Sequence, residues 1–205
     1  MSATCTIEGC KLSSKLPVHD DIELSRDIKV TKYQQLEAGK KKDEIAEFIY
    51  KRFTERYVNP LEYTVRNKKH GFCIMAVSCL MIEALESFRQ GWAESKGDKS
   101  RSAFCYFFDS NDLFKDFRGH AQPFYKHVRC GILHQGETTG GWRIRRSGPL
   151  FDPESKKINA TVFLKRLSRY LKNYCDALKS ADWDDEVWMN LRKKMKAICD
   201  NCKTP

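Results

Sequence analysis

The chain has 205 residues, 41% hydrophobic and 31% charged, and carries a net charge of +10 from 37 basic and 27 acidic residues. That length and balance suit one globular domain that buries its own core without metal or disulfide staples. No run approaches the roughly 20 consecutive apolar residues of a membrane span, and the N-terminus MSATCTIEGCKLSSK lacks an apolar signal segment, so a soluble cytoplasmic protein with no membrane partner is the default expectation.

The positive charge is local. Residues 142–205 hold 15 basic and 8 acidic residues, which is +7 of the total. A local basic surface suits a polyanion, because phosphate contacts release counterions; a basic protein without such a partner carries the same charge. Nine cysteines are an odd number, and Cys73, Cys79, Cys105 and Cys175 sit inside apolar runs, as free buried thiols do in reducing compartments. Cys5, Cys10, Cys199 and Cys202 could assemble a zinc site only if the two chain ends met, so neither a metal site nor a cofactor is expected.

Residues 1–20 read as a loose N-terminal tail, and 21–205 as a single helical domain. A helix is expected from Ile22 to Leu36, with Gly39 and the basic knot Lys40, Lys41 and Lys42 after it. From Asp43 to Tyr57 the apolar residues Ile45, Phe48, Ile49 and Phe53 recur at helical spacing, and Asn59-Pro60 is expected to end that helix. Residues 70–92, HGFCIMAVSCLMIEALESFRQGW, are apolar on nearly every face, as a central helix wrapped by neighbours would be. Residues 101–118 suggest one or two shorter helices, with Phe104, Tyr106, Phe107, Phe108, Phe114 and Phe117 as core material and a break at Asp109-Ser110-Asn111-Asp112. Pro123 suits the start of the next helix, which runs to about His134 before Gly136 and Gly140-Gly141 stop it. Residues 142–158 read as an irregular basic loop or a short hairpin. A long amphipathic helix is expected from Asn159 to Ser180. A last helix over Asp184–Cys199 has acidic residues first and basic residues later, the order the helix dipole favours. The fold class is therefore all-α, a bundle of about six helices.

The segment with chemistry is Arg129-Cys130-Gly131-Ile132-Leu133-His134. Cleaving RNA without a metal needs a proton acceptor for the 2′-hydroxyl, a proton donor for the leaving 5′-oxygen, and a cation for the phosphorane charge. Histidine moves protons near neutral pH, and arginine offers phosphate a planar, permanently charged fork. Five residues of α-helix turn a side chain by about 140° and advance it about 7.5 Å. The two residues therefore do not share a stripe; the arginine stem, a helix end at His134, or a two-fold pairing of two copies must bring them together. By spacing alone the pair is also compatible with a surface arginine in a salt bridge and a histidine at the negative end of a helix dipole.

Within YKHVRCGILHQGETTGGW, the arrangement of Arg129 and His134 resembles the motif of the HEPN superfamily: Arg, four to six residues, then His, late in a helix of an all-helical bundle. The apolar helix GFCIMAVSCLMIEALESF, residues 71–88, is similar to the upstream central helix of prokaryotic HEPN families of plasmid and defence loci. The two segments cover about a fifth of the chain. The resemblance implies a HEPN-like bundle and a metal-independent endoribonuclease. It implies a homodimer with its cleft at the interface, in toxin–antitoxin or anti-phage defence, with an antitoxin or defence partner protein and RNA as substrate. It gives Arg129 the scissile phosphate and His134 the proton. Two departures stand out. Cys130 follows the arginine where many members carry a polar residue, and Gly136 stands where one toxin subset carries a tyrosine.

Around this pair, Glu83 interrupts the apolar run and needs a partner; it could orient Arg129 or His134, or form an ion pair elsewhere. His127 could support the second proton transfer or touch the phosphate backbone, and Gln135 could orient His134. Lys126, Trp142, Arg143, Arg145 and Arg146 are candidate RNA contacts, the tryptophan as a stacking surface beside cations, with Lys156 and Lys157 extending the same basic stretch. Each has a plainer role open to it, as a solvated charge or as packing. The phosphate-loop, His-Glu-x-x-His and Gly-x-Ser-x-Gly patterns are missing, which argues against an NTPase, a zincin and a serine hydrolase. The rival to an enzyme is a non-catalytic RNA- or protein-binding module, acting as adaptor or regulator.

Overall fold

The computed structural model describes residues 21–62 and 70–202. The expected N-terminal tail, and the Cys5 and Cys10 of the zinc idea, lie outside the described residues. Among those described, no group of three or more His, Cys, Asp or Glu side chains could hold a metal ion.

The chain is mostly helical, as expected, but it opens differently. Strands β1 (Glu23–Ser25) and β2 (Ile28–Lys29) form a small antiparallel hairpin where a helix was anticipated, and helix α1 (Val30–Ala38) starts only after it. The hairpin is fastened from both sides. Asp21 accepts a hydrogen bond from the backbone of Thr31 at 3.0 Å, and Arg52 and Arg56 both donate to the carbonyl of the buried Leu24. These ties are tertiary, and local helix preference yields to them.

Helix α2 (Lys42–Phe53) does not stop at Asn59-Pro60. It widens into a π-turn over Thr54–Val58 and continues as α3 (Asn59–Glu62). The Asn59 N–H reaches back five residues to Thr54, and this wider turn accommodates a proline, which has no N–H to give.

Helix α4 (Gly71–Arg89) is the centre of the molecule and packs against α5 (Asp98–Asp109), α8 (Ala160–Ser180) and α9 (Glu186–Asn201). An 18-residue stretch of it has a mean hydropathy of 1.7, long and apolar enough to cross a membrane by length and composition alone, where the sequence reading of residues 70–92 expects a central helix and no membrane span. Here it is a core helix, holding Glu83 and Glu86 buried among its neighbours. After α5, Asn111 caps a 3-10 turn by accepting from Leu113 N at 3.1 Å, which places the break where it was expected. The turn feeds Phe114 and Phe117 into a phenylalanine cluster with Phe107, Phe108, Phe124 and Phe163.

The motif helix is α6 (Ala121–Phe124), a π-turn over Tyr125–Arg129, and α7 (Cys130–Gln135) in one continuous run. The basic segment that follows contains a short hairpin, one of the two expected forms, and adds a third strand to it. Strands β3 (Arg143–Arg145), β4 (Phe151–Asp152) and β5 (Lys157–Asn159) make a three-stranded sheet in the order β3-β5-β4, with β3 parallel and β4 antiparallel to β5. Asn159 then caps α8 through Thr161 and Val162, and the stripe of Phe163, Leu167, Tyr170, Leu171, Tyr174 and Leu178 faces inward as its spacing implied. One continuous core cluster runs from Leu24 to Cys199.

Candidate functional site

The turn after α7 fixes where the motif ends. Gly136 has φ of 69°, the left-handed conformation that glycine adopts without cost. Gly136 N donates to Ile132 O at 3.1 Å, the 5→1 bond of an αL cap, and Glu137 N donates to Gly131 O at 3.3 Å. The chain folds back so tightly that a Cβ on Gly131 would stand 2.5 Å from the carbonyl oxygen of Glu137. His134 therefore lies exposed in the last turn of its helix, one of the positions the spacing argument allows.

Arg129 leaves the end of the π-turn and meets four groups. Its Nε donates to Glu83 Oε1 at 2.7 Å, and the other Glu83 oxygen accepts from Ser100 Oγ at 2.8 Å. Its Cζ lies 5.4 Å from the centre of the Tyr125 ring, a cation–π distance. Its Nη1 is 3.9 Å from Cys130 Sγ and 3.3 Å from His134 Nε2. The offset of about 140° is thus spanned by the arginine stem within one chain. Burial disfavours the Arg129 charge, but the hydrogen bond and charge of Glu83 outweigh it, and the guanidinium pKa is raised. Glu83 and Ser100 together aim one face of the guanidinium inward and leave Nη1 beside the histidine.

That contact also orients the imidazole. A guanidinium N–H can only donate, so His134 Nε2 accepts, which puts the ring proton on Nδ1. The unprotonated nitrogen and the permanent cation thus sit side by side at the surface, in the arrangement a proton acceptor and a phosphate clamp need.

The other expected site residues divide. His127 does not join Arg129: its Nδ1 pairs with Thr139 Oγ1 at 2.8 Å, and Gly140 packs so closely that a Cβ there would be 2.6 Å from the ring. Its pKa is lowered by burial and then by the nearby charges of Lys126 and Lys156. His127 and the exposed Lys126 line a groove of about 450 Å3, whose wall also includes Tyr125 and Cys130. Gln135 is exposed in the last turn of α7. Arg143 and Arg145 point into solvent from β3, whereas Arg146 is half-buried, bonding Thr161 Oγ1 at 3.1 Å and standing 3.2 Å from His70 Nδ1.

Trp142 corrects an expectation. It is 4% exposed, its ring stacked on Phe151 at 5.2 Å and 5° and set edge-on to Phe124, so no face is offered to a base. The aromatic was placed by the core and not by the cations beside it. Sequence reasoning also passed over Ser100 and Tyr125. Tyr125 carries a readable signal, four residues before Arg129 on the same helix face. Ser100 carries none, since it reaches Glu83 from a separate helix.

In comparisons with known proteins, no family model, curated protein or solved structure matches the chain.

Proposed function

We propose that the chain is a HEPN-type endoribonuclease that cuts RNA at Arg129 and His134 without a metal ion. The observation that carries this reading is the 3.3 Å approach of Arg129 Nη1 to His134 Nε2, with Arg129 held from behind by Glu83 at 2.7 Å. A scissile phosphate beside Nη1 accepts hydrogen bonds from the guanidinium. As the phosphate takes over the Nη1 hydrogen bond, the lone pair of His134 Nε2 is freed and takes the proton of the 2′-hydroxyl while that oxygen bonds to phosphorus. The bond from phosphorus to the 5′-oxygen breaks, the leaving oxygen takes a proton, and the products are a 2′,3′-cyclic phosphate and a 5′-hydroxyl. One histidine supplies the base of this scheme. A homodimer, which the HEPN resemblance implies, brings a second His134 as the acid. The same resemblance points to a toxin–antitoxin or defence setting.

The test uses the full chain, Arg129→Ala and His134→Ala, each incubated with total RNA in EDTA. The expected result is cleavage by the wild type to cyclic-phosphate ends and a loss of about 100-fold or more in each variant, the scale of a lost proton-transfer group or oxyanion donor. Equal cleavage by all three proteins would sink the proposal. A second reading, a binding module without turnover, is favoured by Cys130: a thiol 3.9 Å from Nη1 is a weaker hydrogen-bonding aid than the usual polar residue. It predicts that the wild type binds RNA and leaves it intact.

A further inference from the structure

A second concentration of charge shares a groove wall with Glu83. A groove of about 380 Å3 is walled by Arg52, Arg56, Tyr57, Leu80, Glu83 and Lys194, brought together from α2, the π-turn after it, α4 and α9. Among the described residues none of the three cations makes an ion pair with a carboxylate. Glu83, the acid on the wall, has its oxygens committed to Arg129 and Ser100.

The cations rest on backbone carbonyls instead. Arg52 and Arg56 both donate to Leu24 O, and Lys194 donates to Ala93 O at 2.7 Å. Burial, with the charge of Arg56 added, pushes the Arg52 pKa down to about 10. Burial and then Arg52 lower that of Lys194, with Glu94 opposing. Like charges drawn partly out of water without a counter-charge are costly, and a bound anion removes that cost. The rest of the wall is mostly apolar, with Ser87 and Ser95 among it. Leu80 is 46% exposed here, on a helix whose other large apolar residues are mostly buried, and Tyr57 is half-buried. A volume near the low end of small-molecule sites, roughly 300–1,000 Å3, lined by both anion-binding and apolar groups, fits a small ligand with an anionic head and a flat body.

We propose that this groove binds a phosphate-bearing nucleotide, with Arg52, Arg56 and Lys194 on the phosphate and Tyr57 and Leu80 against the base. The proposal is independent of the ribonuclease reading, since neither Arg129 nor His134 takes part.

Isothermal titration of the full chain at low salt tests it, with AMP, ribose 5-phosphate, inorganic phosphate and adenosine as probes. AMP is expected to bind best, adenosine not measurably, and the affinity for AMP to fall as salt rises. Arg56→Met and Lys194→Met should each weaken AMP by about tenfold, the loss of one charge-assisted contact, and Lys165→Met, which removes an exposed cation of α8 outside the groove, should leave it unchanged. These two positions are chosen because Arg52 is more deeply engaged with the hairpin and its loss risks the fold; melting curves verify that both variants are folded. No heat with AMP at millimolar concentration, or unchanged binding in both variants, overturns the proposal. So does binding of a short RNA that both variants lose when AMP does not bind, because the groove would then be a contact for an RNA strand.

Discussion

Helix α4 carries two buried carboxylates three residues apart, and they are used differently. Glu83 divides its oxygens between Arg129, on another helix, and Ser100, on a third. Glu86 takes both Arg89, from its own helix, and Tyr170 on the single oxygen Oε1, at 3.0 and 3.1 Å. Arg89 also donates to the Tyr170 hydroxyl, so that network turns back on Glu86 itself, with Ser110 Oγ at 3.5 Å on its rim. The Glu83 network stays open: beyond Arg129 lies an exposed histidine. Both acids have a cationic partner, but both oxygens of Glu83 are bonded whereas Glu86 Oε2 is buried without a hydrogen bond. Only one converts its pairing into an orientation at the surface, and that difference separates a positioning residue from a packing one.

Deleting each acid gives the largest effects. Breaking a buried ion pair from one side costs about 3–5 kcal/mol, and both Glu83→Ala and Glu86→Ala should lose stability on that scale in urea unfolding. Their activities should part. The folded fraction of Glu83→Ala is expected to cleave RNA at least about tenfold more slowly, because Arg129 is no longer aimed, while that of Glu86→Ala stays within about twofold of wild type. Equal losses of cleavage per folded molecule would abolish the distinction between the two carboxylates.

A smaller effect sharpens the Glu83 side. Gly131→Ala puts a methyl 2.5 Å from the Glu137 oxygen, and the neighbour is backbone that cannot swing aside. The turn that closes α7 behind His134 must shift. The expected cost is about 1–3 kcal/mol, typical of overpacking, with a fall in cleavage larger than that of Glu86→Ala. Thermal melts and the RNase assay together check it; a variant as stable and active as wild type would mean that the turn does not set the histidine.

What could be read in advance follows from how local its cause is. The α8 stripe and the Asn159 cap depend on neighbours along one helix, and the spacing displayed them. The helix end at His134 was legible because Gly136 marks it. The 22–29 hairpin was not, because its strands are two or three residues long and are held by Asp21, Arg52 and Arg56. Trp142 misled for a related reason. Next to Arg143 and Arg145 it reads as a stacking surface, but Phe151, its partner in the core, decides where the ring goes. The need of Glu83 for a partner was evident from its apolar surroundings; that Arg129 and Ser100 would supply it was not. The cluster of Arg52, Arg56 and Lys194 had no sequence signal, since its parts come from both ends of the chain.

The subtlest consequence is a pH dependence carried by Glu86. Burial pushes its pKa up from the usual carboxylate value, against the pull of Arg89 and Tyr170. A group whose folded pKa lies above its unfolded one holds its proton more tightly in the folded state. Its contribution to stability is then complete below the unfolded pKa and is lost as pH rises through the folded one. Glutamine imitates the protonated acid at every pH and lacks this term. The melting temperature of the wild type should therefore stand highest relative to Glu86→Gln near pH 4, and the gap should close or reverse towards pH 7. Melts of the two proteins in matched buffers across that range measure it directly. A gap that widened with pH would mean that attraction to Arg89 outweighs burial. Glu86 would then be a pair held by charge, as Glu83 is with Arg129, and the contrast between the two carboxylates would rest on geometry alone.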